Sequence, residues 1–288
     1  MTGLYRVCKQ QLGSMVYRCT GRIPFSTGYH SFRTSYLERF IDNREFLDVF
    51  QEGGELPEGL GTGLDERVVE YPWVLSNLAA YKGKCRFLDA GSTLNNPMML
   101  GHKLAQPHQW TILTLAPEPE CFWYRGVSYV YDDLRMMPFR PDWFDAVFCI
   151  SVIEHVGMDN TLYAKDPSYR QSETQNYLVA IDEIRRVIRP GGRLFLTVPF
   201  GRYENHTWLQ QFDSAMLSKV VSTFGPQCAN LSFFRYTPRG WRRATEDECS
   251  NLSYFDAHAE RFSGTKKPAQ DGDHAAAACG LACVELQK

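Results

Sequence analysis

Residues 86–91 read RFLDAG, a short apolar run that ends in Asp89 and turns at Gly91. A run of this length is typical of a strand that is buried in a sheet. A glycine behind the strand lets the backbone approach a ligand closely, and open α/β sheets bind ligands beyond the carboxyl ends of their strands. The stretch therefore predicts the first strand of an α/β sheet, followed either by a ligand-binding turn or by a plain turn into a helix.

Around this stretch, short apolar runs alternate with amphipathic ones, as in a parallel sheet built from βαβ units. The apolar runs predict further strands at 110–115, 127–131, 144–151, 193–198, 231–236 and 275–286. The amphipathic stretches predict helices at 96–105, 175–188 and 213–224, with residues 189–192 (RPGG) as the turn that ends the second of them. The polar residues 263–274 are expected to form a mobile loop before the last strand.

The first 65 residues have a different pattern from the rest. Residues 36–50 place apolar side chains at helical spacing and predict one amphipathic helix, and the glycines and prolines of residues 53–63 predict a loop. Residues 66–81 predict another helix, which Pro72 should start, kink or split. We expect residues 1–65 to form a helical extension or cap, and residues 66–288 to form one Rossmann-like domain.

Composition limits the classes of partner. The chain has 288 residues and a formal net charge of -2, which disfavours nucleic acid because binders of phosphate backbones usually carry a basic surplus. No apolar run reaches the ~18 residues of a membrane-spanning helix, and the first 22 residues lack the apolar core of a secretory signal. The nine cysteines include no CxxC pair, so reduced thiols are expected rather than disulfides or a metal site. These features favour a cytoplasmic protein, and they leave its oligomeric state open.

Four motifs follow the RFLDAG stretch in a fixed order. They are DDLRMMPF at 132–139, FDAV at 144–147, SVIEHV at 151–156 and EIRRVIRPGGRL at 183–194. This succession resembles the class I S-adenosylmethionine-dependent methyltransferases, over roughly residues 84–200. The resemblance implies an α/β fold with a Rossmann-like, seven-stranded, mostly parallel sheet whose last strand is antiparallel. It also implies S-adenosyl-L-methionine as the cofactor.

The resemblance places the cofactor beside the turns that follow the strands. Asp89 and Gly91 would lie against its methionine part, and Asp133 would meet the adenine unless it caps a turn instead. Two departures from the family pattern affect the other positions. The usual glycine-rich loop is replaced by GSTLN at 91–95, and no carboxylate ends the second strand, so that Thr114 or Glu118 would contact the ribose. The predicted cofactor-binding residues are Asp89, Gly91, Ser92, Asn95, Thr114, Asp132, Asp133, Leu134 and Ser151.

A histidine just beyond the fourth predicted strand is the main catalytic candidate. His155 titrates near neutral pH and could remove the proton of a methyl acceptor, although a Glu-His pair at this turn could equally serve packing. Glu154 and His206 are the alternative bases. The segment that follows the fifth predicted strand should border the acceptor, and its predicted substrate contacts are Arg202, Tyr203 and Trp208.

The resemblance implies an enzyme that transfers a methyl group to a small-molecule acceptor. We expect O-methylation of a sugar, a glycan precursor or a natural-product intermediate, with N-methylation also open. One alternative keeps the fold and cofactor but performs aminocarboxypropyl transfer or a cyclisation. Another is a non-catalytic protein that only binds the cofactor.

Overall fold

The computed structural model describes residues 2–20, 22, 24–256 and 277–288. The loop predicted at 263–274 lies outside the described residues, as do residues 275 and 276 of the predicted last strand. Within the described ranges, no helix is long and apolar enough to cross a membrane.

In the described part of the chain, eight strands form one mixed sheet. Its members are β1 (Arg86–Ala90), β2 (Gln109–Thr114), β3 (Ser128–Tyr131), β4 (Phe144–Ile150), β5 (Ile188–Pro199), β8 (Cys228–Thr237), β9 (Gly240–Ala244) and β10 (Gly280–Gln287). Two short strands, β6 (Glu204–Asn205) and β7 (Gln210–Gln211), pair separately. The order across the sheet is β3-β2-β1-β4-β5-β10-β8-β9.

Strands β1 to β5 run parallel to one another, and β10 lies antiparallel between β5 and β8. The predicted parallel order and the antiparallel last strand are therefore present. The predicted number of seven strands was wrong, because β9 adds an eighth that pairs antiparallel with β8, with Trp241 opposite Tyr236. The RPGG segment is also not a simple turn: it lies within β5, where the register against β4 shifts between Phe144 and Ala146.

The helices of the described chain differ from the predictions mainly at their ends. They are α1 (Thr2–Cys19), α2 (Tyr29–Leu37), α3 (Arg44–Glu52), α4 (Arg67–Leu78), α5 (Pro97–Leu100), α6 (Thr161–Ala164), α7 (Tyr177–Val187), α8 (Ser214–Phe224) and α9 (Glu246–Cys249). The single helix predicted at 36–50 was wrong, because Asn43 adopts extended backbone angles and caps α3 by accepting the Phe46 N–H. The helix predicted at 96–105 ends at Leu100.

Apolar side chains pack on both faces of the sheet because successive residues of a strand point in opposite directions. Phe87 of β1 and Phe148 of β4 face the core that α4 and the N-terminal helices cover. Leu88 and Val147 face the other core, under α7 and α8. The expectation of an N-terminal cap was inexact, because α2 and α3 contribute side chains to the core of the sheet itself.

Candidate active site

A cavity of about 420 Å³ lies at the carboxyl ends of the parallel strands. Its wall includes the residues that follow β1, β2, β3 and β4, namely Gly91, Leu115, Asp132 and Ser151. The strand order reverses between β1 and β4, and ligands of open α/β sheets bind at such a reversal. The volume also falls within the range of ~300–1,000 Å³ that is common for small-molecule sites. Position and size together identify this cavity as the candidate active site.

The turn after β1 forms one side of the cavity. Gly91 has φ +112, and a Cβ at this position would overlap the side chain of Val152, so only glycine fits here. Asp89 shapes the turn from behind, because its Oδ2 accepts the Leu94 N–H at 2.9 Å. Burial raises the pKa of Asp89 to about 8.

Three of the predicted cofactor-binding residues, Asp89, Ser92 and Asn95, are not among the residues that line the cavity. Ser92 has φ 69, and its buried Oγ has no hydrogen-bond partner among the described residues. The Asn95 side chain accepts the Tyr129 hydroxyl at 2.8 Å and donates to the Glu120 carbonyl at 3.2 Å. The hydrogen bonds of Asp89 and Asn95 hold the turn in shape.

The ends of β2 and β3 bring polar groups to the opposite wall. Thr114 and Glu118 both line the cavity, and the Thr114 hydroxyl donates to Glu118 Oε1 at 3.5 Å. Strand β2 does not end in a carboxylate, but Glu118 of the loop after it brings a carboxylate to the cavity. Asp132, Asp133 and Leu134 line the cavity beside them.

Asp133 is engaged by a neighbouring side chain. Arg135 donates to both of its carboxylate oxygens, from Nε at 3.0 Å and from Nη2 at 2.6 Å. Burial alone would raise the pKa of Asp133, but the hydrogen bonds from Arg135 outweigh it and hold this pKa below its usual value. Asp132 makes a local bond, in which its Oδ1 accepts the Asp133 N–H at 2.8 Å.

Ser151 connects the cavity to helix α4 through a buried hydrogen-bond network. Its hydroxyl donates to Glu70 Oε1 at 2.6 Å, and the Thr197 hydroxyl donates to the same oxygen at 2.5 Å. The other Glu70 oxygen pairs with Arg67, which lines the cavity. The sequence interpretation missed Arg67 and Glu70, although their i, i+3 spacing in DERVVEY (65–71) was a signal for an ion pair.

His155 lies in the cavity wall with one ring nitrogen held in place. Its Nδ1 is 2.8 Å from the Trp208 carbonyl oxygen, and because a carbonyl can only accept, Nδ1 carries the proton and Nε2 keeps its lone pair. Tyr163 and Trp208 enclose the ring, with centroids at 5.3 and 5.2 Å from its own. Burial lowers the pKa of His155 to about 4, so the imidazole is neutral at pH 7.

Glu154, the other half of the Glu-His pair, is almost fully buried, with 1% of its surface exposed. Its Oε1 lies 3.9 Å from His155 Nε2, and its Oε2 has no hydrogen-bond partner in the described part of the chain. Burial raises the pKa of Glu154 well above its usual value. This shift favours the protonated, uncharged form of the carboxyl group.

The remaining candidates lie outside the cavity wall. His206 Nε2 is 3.0 Å from Glu204 Oε2, and its Nδ1 is 3.5 Å from Asp256 Oδ2. Burial would lower the pKa of His206, but the two carboxylates outweigh it and raise this pKa, which favours the charged ring over a base. None of the three predicted substrate contacts is a lining residue: Arg202 pairs with Glu204, Tyr203 is 46% exposed, and the Trp208 carbonyl oxygen lies 2.8 Å from His155 Nδ1.

Comparison with known proteins gives one match in sequence. Residues 112–196 match a family described as a methyltransferase domain. This segment carries β2 to β5, and with them the turns after β2, β3 and β4 that line the cavity. The match supports the resemblance of this chain to the class I S-adenosylmethionine-dependent methyltransferases. No curated protein matches the chain.

Solved structures with a similar fold have low sequence identity. A putative methyltransferase from Bacillus halodurans is 16% identical, with a TM-score of 0.41, over 75% of this chain and 97% of that one. The 1,6-didemethyltoxoflavin-N1-methyltransferase of Burkholderia thailandensis, solved with S-adenosylhomocysteine, is 14% identical, with a TM-score of 0.45, over 86% and 87%. The (4+2)-cyclase SpnF is 20% identical, with a TM-score of 0.48, over 97% and 96%.

Proposed function

We propose that this protein is an S-adenosylmethionine-dependent enzyme that methylates a hydroxyl group of a small acceptor. The observation that supports this most is the cavity at the reversal of the sheet, where the turns of a methyltransferase domain meet. The residues present fit the cofactor. Gly91 lines the cavity in a turn that packs too closely on Val152 for any Cβ, and the opposite wall offers carboxylates for hydroxyl and amino groups.

Each part of the wall has a proposed contact. The backbone at Gly91 and the guanidinium of Arg67 would hold the methionine part, since Arg67 is a cation that a carboxylate could approach. Glu118, with Thr114, would bind the ribose hydroxyls in place of a strand-end acid. Asp132, Asp133 and Leu134 would surround the adenine, while Ser151 would border the sulfonium. When bound, S-adenosylmethionine supplies an electrophilic methyl group.

His155 is the proposed general base. Its Nδ1–H is fixed on the Trp208 carbonyl, which leaves Nε2 to accept the proton of the acceptor hydroxyl. The low pKa keeps the ring neutral and therefore able to accept a proton at pH 7. The cavity wall would hold the acceptor oxygen in line with the methyl group, which is where most of the rate enhancement of such a displacement arises.

Incubation with methyl-labelled S-adenosylmethionine and a panel of hydroxylated small molecules, sugars included, tests this proposal. We expect mass spectrometry to show a labelled methyl group on the acceptor. His155→Ala should lower turnover by about 10²–10⁴-fold and leave cofactor affinity nearly unchanged, while His206→Ala should keep most of the activity. Cofactor cleavage without a methylated product would point to aminocarboxypropyl transfer or a cyclisation instead. Unchanged turnover in His155→Ala would exclude His155 as the base.

A further inference from the structure

Three buried glutamates lie near one another, and one of them, Glu154, lies beside the imidazole of His155. Glu66 and Glu70 come from the start of α4, and Glu154 follows β4; we call these three residues the inner acidic cluster. Their exposed fractions are 8%, 0% and 1%. Glu154 interacts electrostatically with Glu70, Arg67 and Glu66, so the three carboxyl groups lie close enough to influence one another.

The inner acidic cluster has more acid than its neighbouring cation can neutralise. Arg67, the cation that interacts with both Glu66 and Glu154, is already paired with Glu70. Burial, together with the neighbouring carboxyl groups, raises the pKa of Glu66 to about 7 and that of Glu154 well above its usual value. Without a further cation, burial therefore favours the protonated form of Glu154.

One oxygen of the inner acidic cluster is left over for a ligand. Glu154 Oε2 is buried and has no hydrogen-bond partner within the described ranges, although a buried carboxyl oxygen is normally bonded. The other oxygen of the same group lies 3.9 Å from His155 Nε2, the nitrogen that is not engaged by Trp208. The unpartnered carboxyl group thus lies directly beside the cavity wall.

Aromatic rings surround the same place. The ring of His155 is flanked by Tyr163, which lines the cavity, and by Trp208, and Trp208 in turn contacts Tyr254 at 6.4 Å between centroids. Both tyrosines interact electrostatically with Glu154 and Glu66. Rings around buried carboxyl groups make an environment that favours an organic ammonium ion, because the ring faces attract cations.

We propose that the acceptor is a hydroxylated amine whose protonated amino group binds at Glu154, beside His155 and Tyr163 of the cavity wall. This inference rests on the proposed function, since it concerns the acceptor of that reaction, and it narrows the acceptor to molecules that carry both groups. The ammonium ion would lower the pKa of Glu154 and ionise it. Binding of the amine at pH 7 should therefore release a proton from the protein, whereas binding of a neutral alcohol should not.

Calorimetry with matched probes tests the proposal on the protein saturated with S-adenosylhomocysteine. Tyramine and 4-ethylphenol differ only in the ammonium group, and glucosamine and glucose form a second pair. We expect the amine of at least one pair to bind roughly tenfold more tightly than its neutral partner. Titration in two buffers of different ionisation enthalpy should show that proton release accompanies the amine alone.

Glu154→Gln and Glu66→Gln should each reduce the preference for the amine, and Glu154→Gln should abolish the proton release. Glu58→Gln is the control, because the side chain of Glu58 is 84% exposed.

Equal binding of both members of each pair, failure of both amines to bind at millimolar concentration, or an unchanged preference in both variants would overturn the proposal. Two further titrations separate this proposal from the proposed function: the same probes without S-adenosylhomocysteine, and S-adenosylhomocysteine alone. If the protein prefers the amines but does not bind S-adenosylhomocysteine, only the proposed function is contradicted.

Discussion

Ser92 is a strained residue in the turn that borders the cavity. Its φ of 69 lies in the left-handed region, which costs a residue with a Cβ about 1–2 kcal/mol. Its buried hydroxyl also lacks a hydrogen-bond partner among the residues that the structure describes. Gly91 before it needs the same region of backbone space, so two consecutive residues of the turn have positive φ.

Ser92→Gly should stabilise the protein. The change removes the left-handed strain and the unsatisfied hydroxyl, and these gains exceed the ~0.5–1 kcal/mol that the added freedom of glycine costs in the unfolded chain. We expect the free energy of unfolding, measured by urea denaturation, to rise by about 1 kcal/mol. Ser222→Gly, in the exposed part of α8, is the matched control and should destabilise, and a loss of stability in Ser92→Gly would contradict this interpretation of the turn.

At the residue scale, the sequence predicted the residues that line the cavity better than the buried residues that hold them in place. Gly91, Thr114, Asp132, Asp133, Leu134, Ser151 and His155 were all predicted site residues and all line the cavity, while their proposed roles stay predictions. Glu70 could not be found in this way. Its contact with Thr197 spans 127 positions, and a charged residue in a helix pattern is usually solvated rather than buried.

At the scale of elements, Glu70 joins helix α4 to the ends of two strands. It accepts hydrogen bonds from Ser151 after β4 and from Thr197 in β5, and it pairs with Arg67 within its own helix. A buried carboxylate with several donors is costly to change, because each donor would be left without its charged partner.

Glu70→Gln should lower the free energy of unfolding by about 3 kcal/mol, since it breaks the largely buried ion pair with Arg67 and leaves the hydroxyls of Ser151 and Thr197 without a charged acceptor. The control is Glu248→Gln, which breaks the exposed pair with Arg242 and should lower the free energy of unfolding far less, because solvent screens that pair. Urea denaturation of both variants gives the comparison. Equal small losses in the two would show that the Glu70 network contributes little to stability.

Element boundaries were the least predictable part of the fold. The apolar spacing of residues 36–50 continues through the break between α2 and α3, so periodicity alone gave one helix where Asn43 starts a new one. Strand β9 was not predicted, although its Trp241 is 2% exposed and packs in the core. The break at Asn43 depends on a local cap that apolar periodicity does not record, whereas β9 is held by contacts with distant residues such as Leu60.

For the molecule as a whole, the alternation of apolar and amphipathic runs was sufficient to predict the α/β sheet. The N-terminal segment was harder to place, because its contacts lie far away in the sequence. Trp241 donates its backbone N–H to the Leu60 carbonyl at 2.8 Å, and the Arg243 side chain donates to the Gly54 carbonyl at 3.0 Å. The segment before α4 thereby covers the β8–β9 edge.

The central claim is that the cavity beside Gly91 binds S-adenosylmethionine, and calorimetric titration with S-adenosylhomocysteine tests it most directly. We expect one equivalent to bind with a Kd on the order of micromolar, and Gly91→Ala to weaken binding at least about tenfold. Gly53→Ala is the matched control, because Gly53 also has a positive φ but nothing lies within 4 Å of an added Cβ. No binding to the wild-type protein at millimolar concentration, or equal affinity in wild type and Gly91→Ala, would contradict the claim.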